Sequence, residues 1–375
     1  MIDCYRRSHM ARQTSSTSSS LGRRRLLAGA GVAGLGALAG VALSPAAQAA
    51  TGETALPVLS PGDDWAAVLA TTPQVQLVAG AAYTLTATVN LPNNTLIEGN
   101  GAIITVAAEN MAAFTATSKV GITIRGLTLQ GRTQDPLNQP ANFAHTAIKL
   151  TRCTSFRITD CDFNFWLGAG VVVTGSTADD YFAYRGHIQG NNFVRCYFGV
   201  SFTDRAEYCS LSENIFTANR LAIWNSSGNL TVSSNVVVNC YGAYYAYAKT
   251  SPYGAQTSDN WNHGAVSGNT FNHSNGSGGP RWTSNAAFPI GGTGTDPGAD
   301  VVVDGLLPPT FTGNTLWYTN IKANNHGANQ WLLTGCALSN LSITATGTNP
   351  IKILGFQSNG ANNAPVLSGN VQHVF

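Results

Sequence analysis

A short phrase of strand, turn residue and second strand recurs along this chain and limits what it can fold into. It reads Leu96-Ile97-Glu98-Gly99-Asn100, Ile122-Thr123-Ile124-Arg125-Gly126-Leu127 and Ile158-Thr159-Asp160-Cys161-Asp162-Phe163. With Asn at the turn it becomes Ile188-Gln189-Gly190-Asn191-Asn192-Phe193, Leu211-Ser212-Glu213-Asn214-Ile215-Phe216 and Val232-Ser233-Ser234-Asn235-Val236-Val237. Val266-Ser267-Gly268-Asn269-Thr270-Phe271 and Phe311-Thr312-Gly313-Asn314-Thr315-Leu316 follow. Leu338-Ser339-Asn340-Leu341 reads as a degenerate copy and Leu367-Ser368-Gly369-Asn370-Val371 as the last one. Successive turn positions lie 21 to 45 residues apart, the spacing of a solenoid whose longer repeats carry insertions.

The segments are too short and too β-branched for helices, and they alternate apolar with small polar residues. Asn suits the turn because it tolerates left-handed φ, and stacked Asn side chains can bond from coil to coil. A further strand follows each phrase: Ala147-Ile148-Lys149-Leu150, Gly170-Val171-Val172-Val173, Gly199-Val200-Ser201-Phe202, Ala222-Ile223-Trp224-Asn225 and Ala243-Tyr244-Tyr245-Ala246. Three strands per coil around an apolar centre predict an all-β fold, a right-handed parallel β-helix of about ten coils. Charged residues make up only 10% of the chain, so Asn, Ser and Thr must form most of its polar surface.

On these residues the chain, over 51–375, resembles the pectate-lyase-like superfamily of parallel β-helix proteins. Val75 to Leu85 and Asn94 to Asn100 are similar to that superfamily's first coils, and Phe156-Arg157-Ile158-Thr159-Asp160-Cys161 to a pectate lyase coil. The resemblance implies the fold and a sugar chain lying along one row of strands. It does not transfer an activity. The Arg-x-Pro-x-x-Arg catalytic segment is absent, and Asp179-Asp180 resembles the polygalacturonase acid pair without that family's other motifs.

Residues 1–49 read as a bacterial twin-arginine signal peptide. Arg23-Arg24-Arg25 precede a Gly/Ala-rich apolar run, Ala28 to Leu43, and Ala47-Gln48-Ala49 supplies a cleavage site. The expected mature domain is 50–375, secreted, with no membrane span after cleavage. The signal holds six arginines against one aspartate, so the chain's 20 basic and 18 acidic residues become 14 and 17. That balance gives no argument for nucleic acid. Six cysteines remain, and most fall at inward repeat positions, where a thiol acts as a small hydrophobe.

With Ile148, Val171, Val200, Ile223 and Tyr244 inward, period two places a basic and aromatic row on the outer face. The expected groove holds Lys149, Tyr197, Arg220, Trp224, Tyr241, Tyr245, Tyr247 and Lys249. Long insertions beside it contribute Asp259, Trp261, His263 and Trp282. Aromatic faces suit sugar rings, and basic groups suit uronate carboxylates. The function read from this row is a secreted polysaccharide lyase working by β-elimination. In it Arg220 or Lys149 neutralises the carboxylate, and Lys249, Tyr245 or Tyr247 takes the proton. The alternatives are a glycoside hydrolase using Asp204 and Glu207, a fructo- or glycosyltransferase, and a non-catalytic carbohydrate-binding solenoid. The expected partner is a polysaccharide or oligosaccharide, and the assembly a monomer or homotrimer. No cofactor is certain; calcium is possible but would need several oxygen ligands, and no carboxylate cluster stands out.

Overall fold

The structure, a computed structural model, describes residues 55–133, 139–175, 183–247, 252–254, 263–272, 301–304, 308–324, 331–346, 350–358 and 364–374. Thr54–Phe375 forms one compact unit. Its strands pair in parallel into sheets of 13, 11 and 10 strands. The chain visits the sheets in rotation. Arg157–Thr159 lies in the 13-stranded first sheet, Asp162–Asn164 in the 10-stranded second and Ala169–Thr174 in the 11-stranded third. His187–Gln189 then returns to the first sheet one coil on, with Ile188 beside Ile158. This is the right-handed parallel β-helix expected from the repeat. Its first sheet has more strands than the phrase count suggested, because strands such as Val58–Leu59, Gln74–Leu77 and Ile351–Leu354 lack the phrase. No helix among the described residues is long and apolar enough to cross a membrane.

The corner between the first and second sheets shows why the phrase repeats. Left-handed φ is taken by the residue before the Asn: Gly190 (69°), Glu213 (60°), Ser234 (57°), Gly268 (63°) and Gly313 (62°). Asn100 and Asn340 instead take left-handed φ themselves, of 50° and 52°. Asn191, Asn214, Asn235, Asn269 and Asn314 turn their side chains inward and are buried. Asn191 Nδ2 donates to Asn214 Oδ1 at 3.0 Å, Asn214 to Asn235 at 3.0 Å, Asn235 to Asn269 at 2.9 Å and Asn269 to Asn314 at 3.0 Å. Each amide also donates to a main-chain carbonyl, as Asn214 does to Ile188 O at 3.0 Å. A short side chain with both donor and acceptor can extend such a ladder through a core where an unpaired polar group would be costly.

Two expected copies belong to other corners. Leu338 to Leu341 leads from second-sheet strand Ala337–Ser339 to third-sheet strand Ser342–Ala345. Leu367 to Val371 joins third-sheet strand Val366–Gly369 to first-sheet strand Val371–Val374. The segment Leu333-Thr334-Gly335-Cys336-Ala337-Leu338 fills the corner after Asn314 instead, with Leu333 in register with Phe311 and Ala337 with Thr315. Cys336 thus takes the place that Asn holds one coil earlier.

The core follows the same repeat. The rings of Phe163, Phe193 and Phe216 stack nearly parallel, 4.7 and 4.8 Å apart, which is the spacing of adjacent strands. Trp65 and Leu69 of the helix Trp65–Thr71 pack into the start of this core, and Asp64 caps that helix by accepting from Ala66 N and Ala67 N. All six described cysteines are free and buried. Burial pushes the thiols of Cys161, Cys196, Cys209 and Cys240 up to about 12, which makes them inert packing groups.

Candidate functional site

The outer face of the third sheet carries the row that alternation predicts. Strand pairing sets Lys149, Val172, Ser201, Trp224, Tyr245 and Val302 side by side on successive coils. The alternation breaks near the strand starts. Ala169 pairs with Phe198 and the next pair is Val171 with Val200, so Phe198 and Leu221 join the outer cluster rather than the core.

This face is not an open groove. Trp224, Tyr245, Tyr197 and Arg220 have no solvent exposure, which corrects the expectation of an exposed basic and aromatic row. With Val172, Phe198, Tyr253 and Val302 the three aromatic residues form a second hydrophobic cluster, separate from the core. Phe143 packs on it, with its ring 5.7 Å from that of Tyr197 and 6.0 Å from that of Phe198. Tyr253 enters from the other side, with ring centroids 5.6 Å from Phe143 and 6.1 Å from Phe198, and its hydroxyl lies 2.9 Å from Thr146 Oγ1. Period two correctly divides inward from outward here but says nothing of what covers the outward side.

The other sequence candidates fall in different places. The guanidinium of Arg220 lies 3.8 Å from the centre of the half-buried Tyr241 ring, a cation–π contact within the layer. Trp224 Nε1 donates to Ser226 Oγ at 3.0 Å. Lys149 stands half-buried in the row. Tyr247 ends its strand in register with Asp304. His263 lies one coil beyond Asn229, whose Oδ1 is 2.9 Å from His263 Nε2. Lys249, Asp259, Trp261, Trp282 and the Asp179-Asp180 pair lie outside the described residues.

The polar end of the same face is chemically distinctive. Asp204 follows strand Phe198–Thr203 at a left-handed φ of 53° and is buried, 6% exposed. Its Oδ2 accepts from Thr174 Oγ1 at 3.0 Å. Its Oδ1, like Ser201 Oγ and Thr203 Oγ1 on the same strand, is buried with no hydrogen-bond partner among the described residues. Burial raises the carboxyl above its ordinary value, and the Thr174 hydrogen bond offsets only part of this. Three residues on, Glu207 Oε2 accepts from Asn229 Nδ2 at 2.9 Å and is also buried. A carboxyl whose protonated form is favoured by burial is the kind of group that can donate a proton to a leaving oxygen.

His145, buried against Trp166, is a structural group. Its Nδ1 accepts from Leu167 N at 3.1 Å and its Nε2 lies 3.1 Å from Gly131 O, so the tautomer is Nε2–H. Burial lowers it to about 4. Among the described residues no group of three or more His, Cys, Asp or Glu side chains is arranged to hold a metal ion. The residues that sequence reasoning missed are Phe143, Tyr253 and Gly254. They come from insertions, where no repeat phase assigns a position.

Fold and site together define a parallel β-helix protein with a buried acidic site on the outer face of one sheet. A sequence-family model described as adenovirus EB1 55K protein / large t-antigen matches residues 55–251, just over half of the chain. The chain belongs to that family. No curated protein matches it in sequence. Among solved structures it is similar to the pre-mature bacteriophage phi29 gene product 12, at 11% identity over 80% of this chain and with a TM-score of 0.45. The chain spans about half (51%) of that protein's length. It is also similar to the catalytic domain of a GH87 α-1,3-glucanase in complex with nigerose, at 11% identity over 88% of this chain and 69% of that one, TM-score 0.47. A third likeness is to an alginate lyase from Paenibacillus sp., at 13% identity over 84% of this chain and 98% of that one, TM-score 0.41.

Proposed function

We propose that this protein cleaves polysaccharide by hydrolysis, with Asp204 as proton donor at the polar end of the third sheet's outer face. The observation that carries the reading is the Asp204 carboxyl itself: buried, shifted towards its protonated form, bonded through Oδ2 and unpartnered at Oδ1. Glycoside hydrolysis uses such an acid with a second carboxylate, and Glu207 on the same segment is the candidate. The lyase reading's Arg220 and Tyr245 have no solvent exposure, whereas Asp204 and Glu207 keep 6% and 9%. We further propose that residues 1–49 export the chain, so that it acts outside the cell.

The test incubates mature protein with a panel of polysaccharides and reads new reducing ends and unsaturated products separately. Hydrolysis gives reducing ends without unsaturated products, and Asp204→Asn abolishes them. Unsaturated products would restore the lyase reading, and binding without any product would leave a carbohydrate-binding solenoid.

A further inference from the structure

The first sheet adjoins the third at the corner through which each coil passes. Its outer face collects positive charge in a chain where charged residues are only 10%. Strand pairing sets Arg157 beside His187 on adjacent coils, and both are exposed. At the corner leading into these strands, Arg152 and Arg185 are exposed with left-handed φ of 54° and 57°. The Arg185 guanidinium lies 5.6 Å from the centre of the Tyr184 ring. Tyr208, 55% exposed, is one coil further, and its carbonyl accepts from Arg185 N at 3.2 Å.

Glu98 is paired with Arg125 one strand away, and exposed Asp160 sits past the far end of strand Arg157–Thr159. Neither Arg157 nor Arg185 has a carboxylate partner among the described residues. Arg157 and Arg185 lie on adjacent coils, about 4.8 Å apart, so both guanidinium groups can reach one anionic polymer. Guanidinium groups bind carboxylate or sulfate through two parallel hydrogen bonds. The exposed Tyr208 ring beside them offers a face for a sugar ring.

We propose that Arg157, Arg185 and His187 form a binding strip for the anionic groups, carboxylate or sulfate, of an acidic polysaccharide, on the sheet next to the one that carries Asp204. The choice of a glycan rests on the reading of the Asp204 site, but the strip makes its own contacts and is tested by binding alone.

The test measures retention of the full-length mature protein by polygalacturonate, dextran sulfate, uncharged dextran and duplex DNA. It compares wild type with the double variant Arg157→Gln with Arg185→Gln. Wild type is expected to bind at least one of the two acidic polysaccharides, and not dextran. The double variant should bind at least ten-fold more weakly, and added salt should weaken wild-type binding. Polygalacturonate against dextran sulfate separates carboxylate from sulfate recognition. Unchanged binding by the double variant, no wild-type binding to either acidic polymer, or equal binding of duplex DNA would overturn the strip. None of these outcomes bears on Asp204, whose test is product formation.

Discussion

Gly254 lies so close to Asp204 that a Cβ on it would stand 2.4 Å from Asp204 Oδ2 and 2.8 Å from Thr203 Oγ1. Tyr253, anchored among Phe143, Phe198 and Thr146, holds this glycine over the acid. Gly254→Ala must therefore displace the carboxyl. It is expected to cost about 1 to 3 kcal/mol of stability and to remove most of the activity found with the polysaccharide panel. Full activity of Gly254→Ala would take Asp204 out of the reaction.

The raised Asp204 carboxyl also predicts a pH dependence. The fold favours its protonated form, so its contribution is fully present below the ordinary value of 3.8 and is lost as pH rises through the higher folded value. Asp204→Asn removes that loss. The variant should melt higher than wild type at neutral pH, and the difference should shrink towards pH 4. A constant difference across that range would show that burial does not shift this carboxyl.

His145 behaves in the opposite sense. Its folded value of about 4 lies below the ordinary 6.5, so it stays neutral in the fold while the unfolded chain takes up a proton. Its contribution is present above pH 6.5 and is lost as pH falls towards about 4, by up to about 3 kcal/mol at about 1.4 kcal/mol per pH unit. His145→Gln should flatten the acid side of a plot of melting temperature against pH. Identical slopes for the two proteins would refute this.

Asn214 gives the clearest test of the ladder. It donates to Asn235 Oδ1 and Ile188 O and accepts from Asn191 N and Nδ2, all at 3.0 Å. Asn214→Leu strips partners from both neighbouring coils and should destabilise by about 1 to 3 kcal/mol, read from chemical denaturation. An unchanged midpoint would mean that the neighbouring amides find other partners.

Trp224 was expected to be an exposed sugar platform, and its burial changes the prediction. Trp224→Ala empties a packed layer between Phe198, 6.0 Å away by ring centroids, and Tyr245 in register. It should cost about 3 to 5 kcal/mol. A loss of sugar binding at unchanged stability would instead reopen this face as a groove.

Export is testable on the sequence alone. Arg24→Lys with Arg25→Lys should hold the protein inside the cell, because the twin-arginine receptor reads that pair. Normal secretion of the double variant would remove this route.

The repeat of short β-branched strands determined the solenoid from sequence, because apolar residues at period two, interrupted at a fixed corner, can be buried together only by stacking coils. The same local pattern determined that the Asn residues recur in register, and that Trp224 and Tyr245, or Arg220 and Tyr241, are neighbours. It could not place the left-handed φ one residue before the Asn, since the phrase admits the bend at either position. Nor could it distinguish Leu333 to Leu338 from Leu338 to Leu341 as the true corner, because Cys336 replaces Asn where only the register with Asn314 reveals it. The tertiary structure alone decided the exposure of the outer face. Trp224 and Tyr245 are buried in one cluster with Tyr253 and with Phe143 packed against it, and these two arrive from distant insertions with no periodicity. The upward shift of the Asp204 carboxyl likewise comes from burial that no local pattern encodes.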